Sequence, residues 1–351
     1  MSCPTLYTIS PFDGLNLFKQ KLIGYLAEIH CAPLGTTAYM PPLLSHGNML
    51  NSAQGKQTKL LFEDVFDLES LNELMPHIVF KSSSVDENVS QVQKFDFVDR
   101  SYKEIAICKR KTAKLLPAHV FCSDATANRR AGNALASFVT VAGRDKFFQA
   151  MVTLKPAKPI IKIAEEFVRE RFVNGGTQFF MCLHLRTETD FRDYFKEPPA
   201  YYSPEDHAAK ISKHMEKYPD YYKGVNNVYV SGDHNKEYFK STVIPVFGRL
   251  FKNIYGHHDV AEFGFNALKN VQRAALDQYI CSQALIFIGN RYSGFSELTF
   301  YIRIGMKLNR GIGTDLEDML DFMINNSQDN MTHREGSMER MLTANGLLVL
   351  T

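Results

Sequence analysis

The 351-residue chain is short of most features that assign a function at sight. It has six cysteines, too few for a disulfide scaffold, and none forms a Cys-x-x-Cys pair. Cys182 and Cys281 lie inside apolar runs and read as small core residues rather than ligands or nucleophiles. No window approaches the roughly 20 apolar residues that a membrane span requires. The N-terminus has neither a basic start nor the apolar stretch of a secretory signal, so the chain as written reads as cytoplasmic. There is no basic tail, and a formal net charge of +2 predicts no nucleic-acid partner. The densest basic cluster, Lys109-Arg110-Lys111, reads as a solvated face. The Gly-x-x-x-x-Gly-Lys-Ser/Thr phosphate loop, the Gly-x-Gly-x-x-Gly dinucleotide turn, His-Glu-x-x-His and Gly-x-Ser-x-Gly are all missing. Asp-x-Asp is missing too, so a metal-clamped nucleotide sugar has no obvious ligand pair.

What remains is an ordinary globular composition, 45% hydrophobic and 22% charged, in a chain long enough for two domains. Apolar positions at helical spacing run through 14–33, after Gly14-Leu15-Asn16. A strand follows at 36–40, stopped by Pro41-Pro42. Short apolar runs at 60–62, 78–80, 105–107 and 119–121, and a helical stretch near 130–143, suggest a βα domain over 1–155. Lys155-Pro156-Ala157-Lys158-Pro159 is the linker candidate. The second domain, 160–326, reads more clearly. Helices are expected at 160–173, 205–216, 235–248, 267–283 and 296–304, and strands at 178–185, 227–230 and 284–288. Strands alternating with helices imply a parallel sheet. The tail, 327–351, ends apolar and suits a helix packing back on the body.

The most informative stretch is Phe179-Phe-Met-Cys-Leu-His-Leu-Arg-Thr-Glu-Thr-Asp190. An apolar strand runs into His184, Arg186, Glu188 and Asp190 at its carboxyl end, where open α/β sheets bind ligands. A guanidinium there suits a phosphate, which it can grip bidentately. The alternative is a buried histidine beside a surface pair of Arg186 with Glu188 or Asp190. A second stretch, Phe287-Ile-Gly-Asn-Arg-Tyr-Ser-Gly-Phe-Ser296, leads from a strand through a small-residue turn into a helix. A helix N-terminus attracts anions, and Ser293 and Ser296 add hydroxyls. An ordinary serine N-cap explains the same residues. Asp277, in Ala-Ala-Leu-Asp-Gln-Tyr-Ile-Cys, could accept from the ring N–H and amino group of a purine, or sit on an exposed helix edge. Asn16 either faces a cleft or caps the first helix. His257-His258-Asp259 does not read as a metal site, because adjacent side chains in a polar loop seldom converge.

Taken in order, Gly14-Leu15-Asn16, His184-Leu-Arg186-x-Glu188-x-Asp190, Ala275-Leu-Asp277-x-x-Ile-Cys281 and the 287–296 turn resemble the GDP-fucose protein O-fucosyltransferase superfamily. The match is strongest to its plant-type branch, and the last turn looks more animal-like. The plant-type pattern has an arginine where this chain has Lys19. The resemblance covers about 14–305. It implies a GT-B architecture, two Rossmann-like domains facing across a cleft, with the donor mainly on the second. It implies an inverting, metal-independent glycosyltransferase that moves fucose from GDP-fucose to a hydroxyl of a protein or glycan acceptor, with no cofactor. Arg186 would hold the β-phosphate and stabilise the leaving GDP. His184 and Asp277 would address the nucleoside. Ser293, Gly294, Phe295 and Ser296 would supply donors to the diphosphate, and Asn16 would reach in from the first domain. Glu188 and Asp190 are the nearest carboxylates for a base, or they orient Arg186. Members usually work in the secretory pathway. The alternative reading is a non-catalytic protein of the same fold that binds a GDP-sugar or glycan.

Overall fold

A computed structural model of the chain describes residues 5–8, 15, 19, 22–23, 26, 30, 34–40, 42–45, 58–82, 93–95, 120–122, 144–175, 179–185, 203–217, 219–232, 234–289 and 293–310. Asn16, Arg186, Glu188, Asp190, the runs at 105–107 and 130–143 and the tail after 326 lie outside them. The chain divides into two compact units, with the change at Ala157 and Lys158.

The N-terminal unit is built on five parallel strands. They are β1 (Thr5–Thr8), β2 (Thr36–Met40), β5 (Ile78–Ser82), β6 (Gln93–Phe95) and β7 (Val120–Cys122), in the order β5-β2-β1-β7-β6. A separate antiparallel pair joins β3 (Leu43–Ser45) to β4 (Thr58–Leu60). The expected first helix is present at its described positions: Leu15, Leu22, Ile23 and Leu26 are helical and buried. Lys19, on the same helix, is also buried, its amine 5.5 Å over the ring of Phe66. Burial pulls its pKa down to about 7. Helix α1 (Leu68–Leu74) starts at Asp67, whose carboxylate accepts from the Glu69 N–H. Helix α2 (Arg144–Thr153) was not expected; its apolar positions are too loosely spaced to stand out from the sequence.

The C-terminal unit opens with α3 (Lys158–Val168), whose apolar stripe buries Ile160, Ala164 and Phe167. The helix widens into a π turn, Arg169–Val173, and stops at Asn174-Gly175. Four parallel strands follow, β8 (Phe180–His184), β9 (Asn227–Ser231), β10 (Asn253–Gly256) and β11 (Ile286–Ile288), ordered β10-β9-β8-β11. Edge strand β10 escaped the sequence reading because Asn253-Ile-Tyr-Gly carries little apolar signal and is only half-buried.

Side chains alternate across this sheet. One face presents Met181, Leu183, Val228, Val230, Ile286 and Ile288 to an aliphatic core with Ile211 of α4 (Pro204–Lys217) and Phe239, Val243 and Phe247 of the 236–247 helical run. The other face presents Cys182, His184, Tyr229 and Ser231 toward α5 (Asn270–Gln283) and α6 (Gly294–Arg310). Helices on both faces of a parallel sheet make a doubly wound arrangement. Read in chain order the strands run 3-2-1-4, so the order reverses between β8 and β11.

The sequence reads Cys182 and Cys281 as small core residues. Both are fully buried, but they form a disulfide, with Cα atoms 5.1 Å apart. Cys182 shares its strand face with His184, and Cys281 lies one turn beyond Asp277. Nothing in two apolar runs 99 residues apart announces that register.

Candidate active site

The crevice outside β8 and β11 lies at the point where the strand order reverses, the usual ligand position in such sheets. His184 is the last residue of β8 and is buried. Its Nδ1 is 2.7 Å from the hydroxyl of Ser296, and its ring lies 4.5 Å from that of Phe295. Strand β8 and the first turn of α6 are thereby tied together. The approach is close because Gly289, directly after β11, has no side chain. A Cβ there would stand 2.8 Å from the Cβ of Ser296 and 2.9 Å from its hydroxyl.

Ser293 caps α6: its hydroxyl accepts from the Phe295 N–H at 3.3 Å, and its carbonyl accepts the first helical bond from Glu297. Ser296 is fully buried and spends its hydroxyl on His184. The turn 293–296 is therefore both cap and crevice wall, with the positive end of a 17-residue helix behind it.

Asp277 was open between a ligand contact and an exposed edge. It is buried, with only 8% of its surface exposed. Tyr229 donates to its Oδ1 at 2.6 Å and Ser231 to its Oδ2 at 3.3 Å. Burial first, and then the charge of Asp277, push the Tyr229 phenol pKa well above its usual value. Ser231 is also the register partner of His184 in the sheet. Asp277 and His184 thus meet over one residue, although 93 positions separate them in sequence. Tyr229 and Ser231 escaped the sequence reading. The signal available was two hydroxyl residues at spacing two, on the strand face opposite Val228 and Val230.

Leu185, which precedes Arg186, donates its N–H to the Ser231 carbonyl at 2.9 Å. Gly232 then turns the chain with a φ of 151°, and a side chain there would overlap the Leu185 carbonyl and the His234 ring. His257 and His258 do not gather a metal site. The first reaches the Gly232 carbonyl with Nδ1 and the second the His234 carbonyl with Nε2. Burial, followed by the nearby histidines, depresses the pKa of His257 to about 3. Burial and then His258 depress that of His234 to about 4.

Of the expected site residues, His184 ends β8, Asp277 meets the last residues of β9 from α5, and Ser293, Gly294, Phe295 and Ser296 form the start of α6. No curated protein sequence matches the chain. Among solved structures, it is similar to a mutant of Arabidopsis thaliana FUT1 in complex with GDP, at 12% identity and a TM-score of 0.48, over 86% of this chain and 69% of that one. The sequence model of the GDP-fucose protein O-fucosyltransferases matches residues 7–303. The chain belongs to that family, and is a GDP-fucose-dependent glycosyltransferase.

Proposed function

We propose that this chain is an inverting, metal-independent O-fucosyltransferase of GT-B architecture, and that it transfers fucose from GDP-fucose to a hydroxyl of a protein or glycan. The observation that carries the reading is the meeting of His184 and Asp277 over Ser231, beside the N-terminus of α6. A nucleoside diphosphate needs an acceptor for its base and positive charge for its phosphates. The crevice pairs a buried carboxylate with a helix N-terminus, and Arg186 follows Leu185 in the chain.

In the reaction the acceptor oxygen attacks the anomeric carbon as the bond to the β-phosphate oxygen breaks. The electron pair leaves with GDP, and Arg186 and the α6 N–H groups stabilise it there. The acceptor proton needs a base; Glu188 and Asp190 are the nearest carboxylates in sequence for that role, or they orient Arg186.

Titration calorimetry with GDP tests the reading. Binding by the wild type, weakened at least about tenfold by Arg186→Ala, is expected for a lost charge-assisted phosphate contact. Absence of GDP binding, or binding indifferent to Arg186→Ala, would sink it. The catalytic part is read from release of GDP out of GDP-fucose, which is expected to continue in a chelator.

A further inference from the structure

Asp277 does not stand alone on its helix. Strand β9 places Tyr229 and Ser231 on the face that looks at α5, and each hydroxyl meets a different oxygen of the carboxylate. Tyr229 is fully buried, its ring packed edge-on to Phe167 of α3 with centroids 5.6 Å apart. A phenol fixed this way has one hydrogen to give, and it points at Oδ1. Two donors on two oxygens hold the plane of the carboxylate, and an ionised carboxylate can only accept.

We infer that Tyr229 and Ser231 are positioning residues that set base selectivity by holding Asp277 as a fixed, acceptor-only carboxylate. This rests on the reading of the crevice as a nucleoside-diphosphate site. A base that meets such a carboxylate edge-on must bring two adjacent in-plane N–H donors. A 2-amino-6-oxopurine brings a ring N–H and an amino N–H. Hypoxanthine keeps only the first, and adenine presents an acceptor where the ring N–H would be. A site built around a buried polar group rejects the analogue that leaves the group unpaired. Without Tyr229 the carboxylate loses the donor that fixes its Oδ1, and the distinction fades.

The test compares GDP, IDP and ADP on the full chain, by calorimetry and by competition against GDP-fucose turnover. The wild type is expected to prefer GDP over IDP by about tenfold or more, and over ADP by more. Tyr229→Phe keeps the ring and removes the donor. Its GDP:IDP ratio should fall by about fivefold, with KM for GDP-fucose raised and kcat within about twofold of wild type. Ser231→Ala should shift the ratio the same way by less, and Ser231→Thr should restore it. A Tyr229→Phe protein that binds every nucleotide more weakly in an unchanged ratio overturns the inference. Should Tyr229→Phe fail to fold, an unchanged ratio in Ser231→Ala overturns it instead. A wild type that does not distinguish GDP from ADP strikes the donor reading itself, before any variant is made.

Discussion

Gly289 has no side chain because Ser296 occupies the space one would fill. That economy lets the first turn of α6 come close enough to β8 for Ser296 to reach His184. Gly289→Ala would drive its methyl into Ser296 and against Phe287. Overpacking of this kind costs about 1–3 kcal/mol. A lowered denaturation midpoint is expected, with GDP affinity falling further than global stability predicts. If the variant melts like wild type and binds GDP equally, the close approach has no role. At this scale the residues of the candidate site differ in how legible they are. His184 and Asp277 stand out because an ionisable residue among apolar neighbours needs an explanation. Tyr229 and Ser231 did not, because both suit a strand on propensity alone, and only the register turns them toward Asp277.

Among the elements, the buried side chain of Arg303 ties α6 to the C-terminal end of α5. Arg303 of α6 donates Nη1 to the carbonyls of Cys281, Ser282 and Ala284, and Nη2 to that of Leu285 at 2.9 Å. Carbonyls at a helix C-terminus lack partners within the helix, and a cation there also meets the negative end of its dipole. Arg303→Met leaves those carbonyls buried without a donor. A loss of about 3 kcal/mol or more in urea unfolding is expected. Arg303→Lys should recover only part, because an ammonium cannot fan across four carbonyls. An Arg303→Met protein as stable as wild type would show that the carbonyls find other donors. Elements whose apolar or β-branched residues run between breakers, such as β2, β8 and β9, were readable to within a residue or two. Strand β10 and helix α2 were not. Their existence depends on neighbours that supply the missing apolar surface, and local sequence carries no trace of a neighbour.

At the scale of the molecule, three histidines of the C-terminal unit, His234 buried and His207 and His257 half-buried, bear on acid stability. His207 and His234 are held at about 4 and His257 at about 3, each chiefly by burial. Unfolded histidine titrates near 6.5. Below that pH the unfolded chain binds protons that the folded unit refuses, so their contribution is complete above about pH 6.5 and is lost as pH falls toward 4 and 3. Thermal melts at constant ionic strength should show Tm falling from pH 7 to pH 4, with a shallower slope for His234→Gln. A Tm flat across that range would count against the burial of these rings. A parallel sheet was foreshadowed by the alternation of strands and helices after residue 160. The disulfide was not foreshadowed, since two cysteines in apolar runs look alike whether or not they meet.

That disulfide changes the chain's connectivity as well as its packing. From Cys182 to Cys281 the polypeptide is a closed covalent ring, and β9, β10 and most of β8 and α5 lie on it. His184, Ser231 and Asp277 are all members of the ring. A single backbone cut anywhere within it, for instance in the long segment between Arg186 and Ser203, yields a nicked molecule rather than two fragments. The halves part on a gel only after a reductant opens the bond, and until then the crevice keeps both of its walls on one covalent frame.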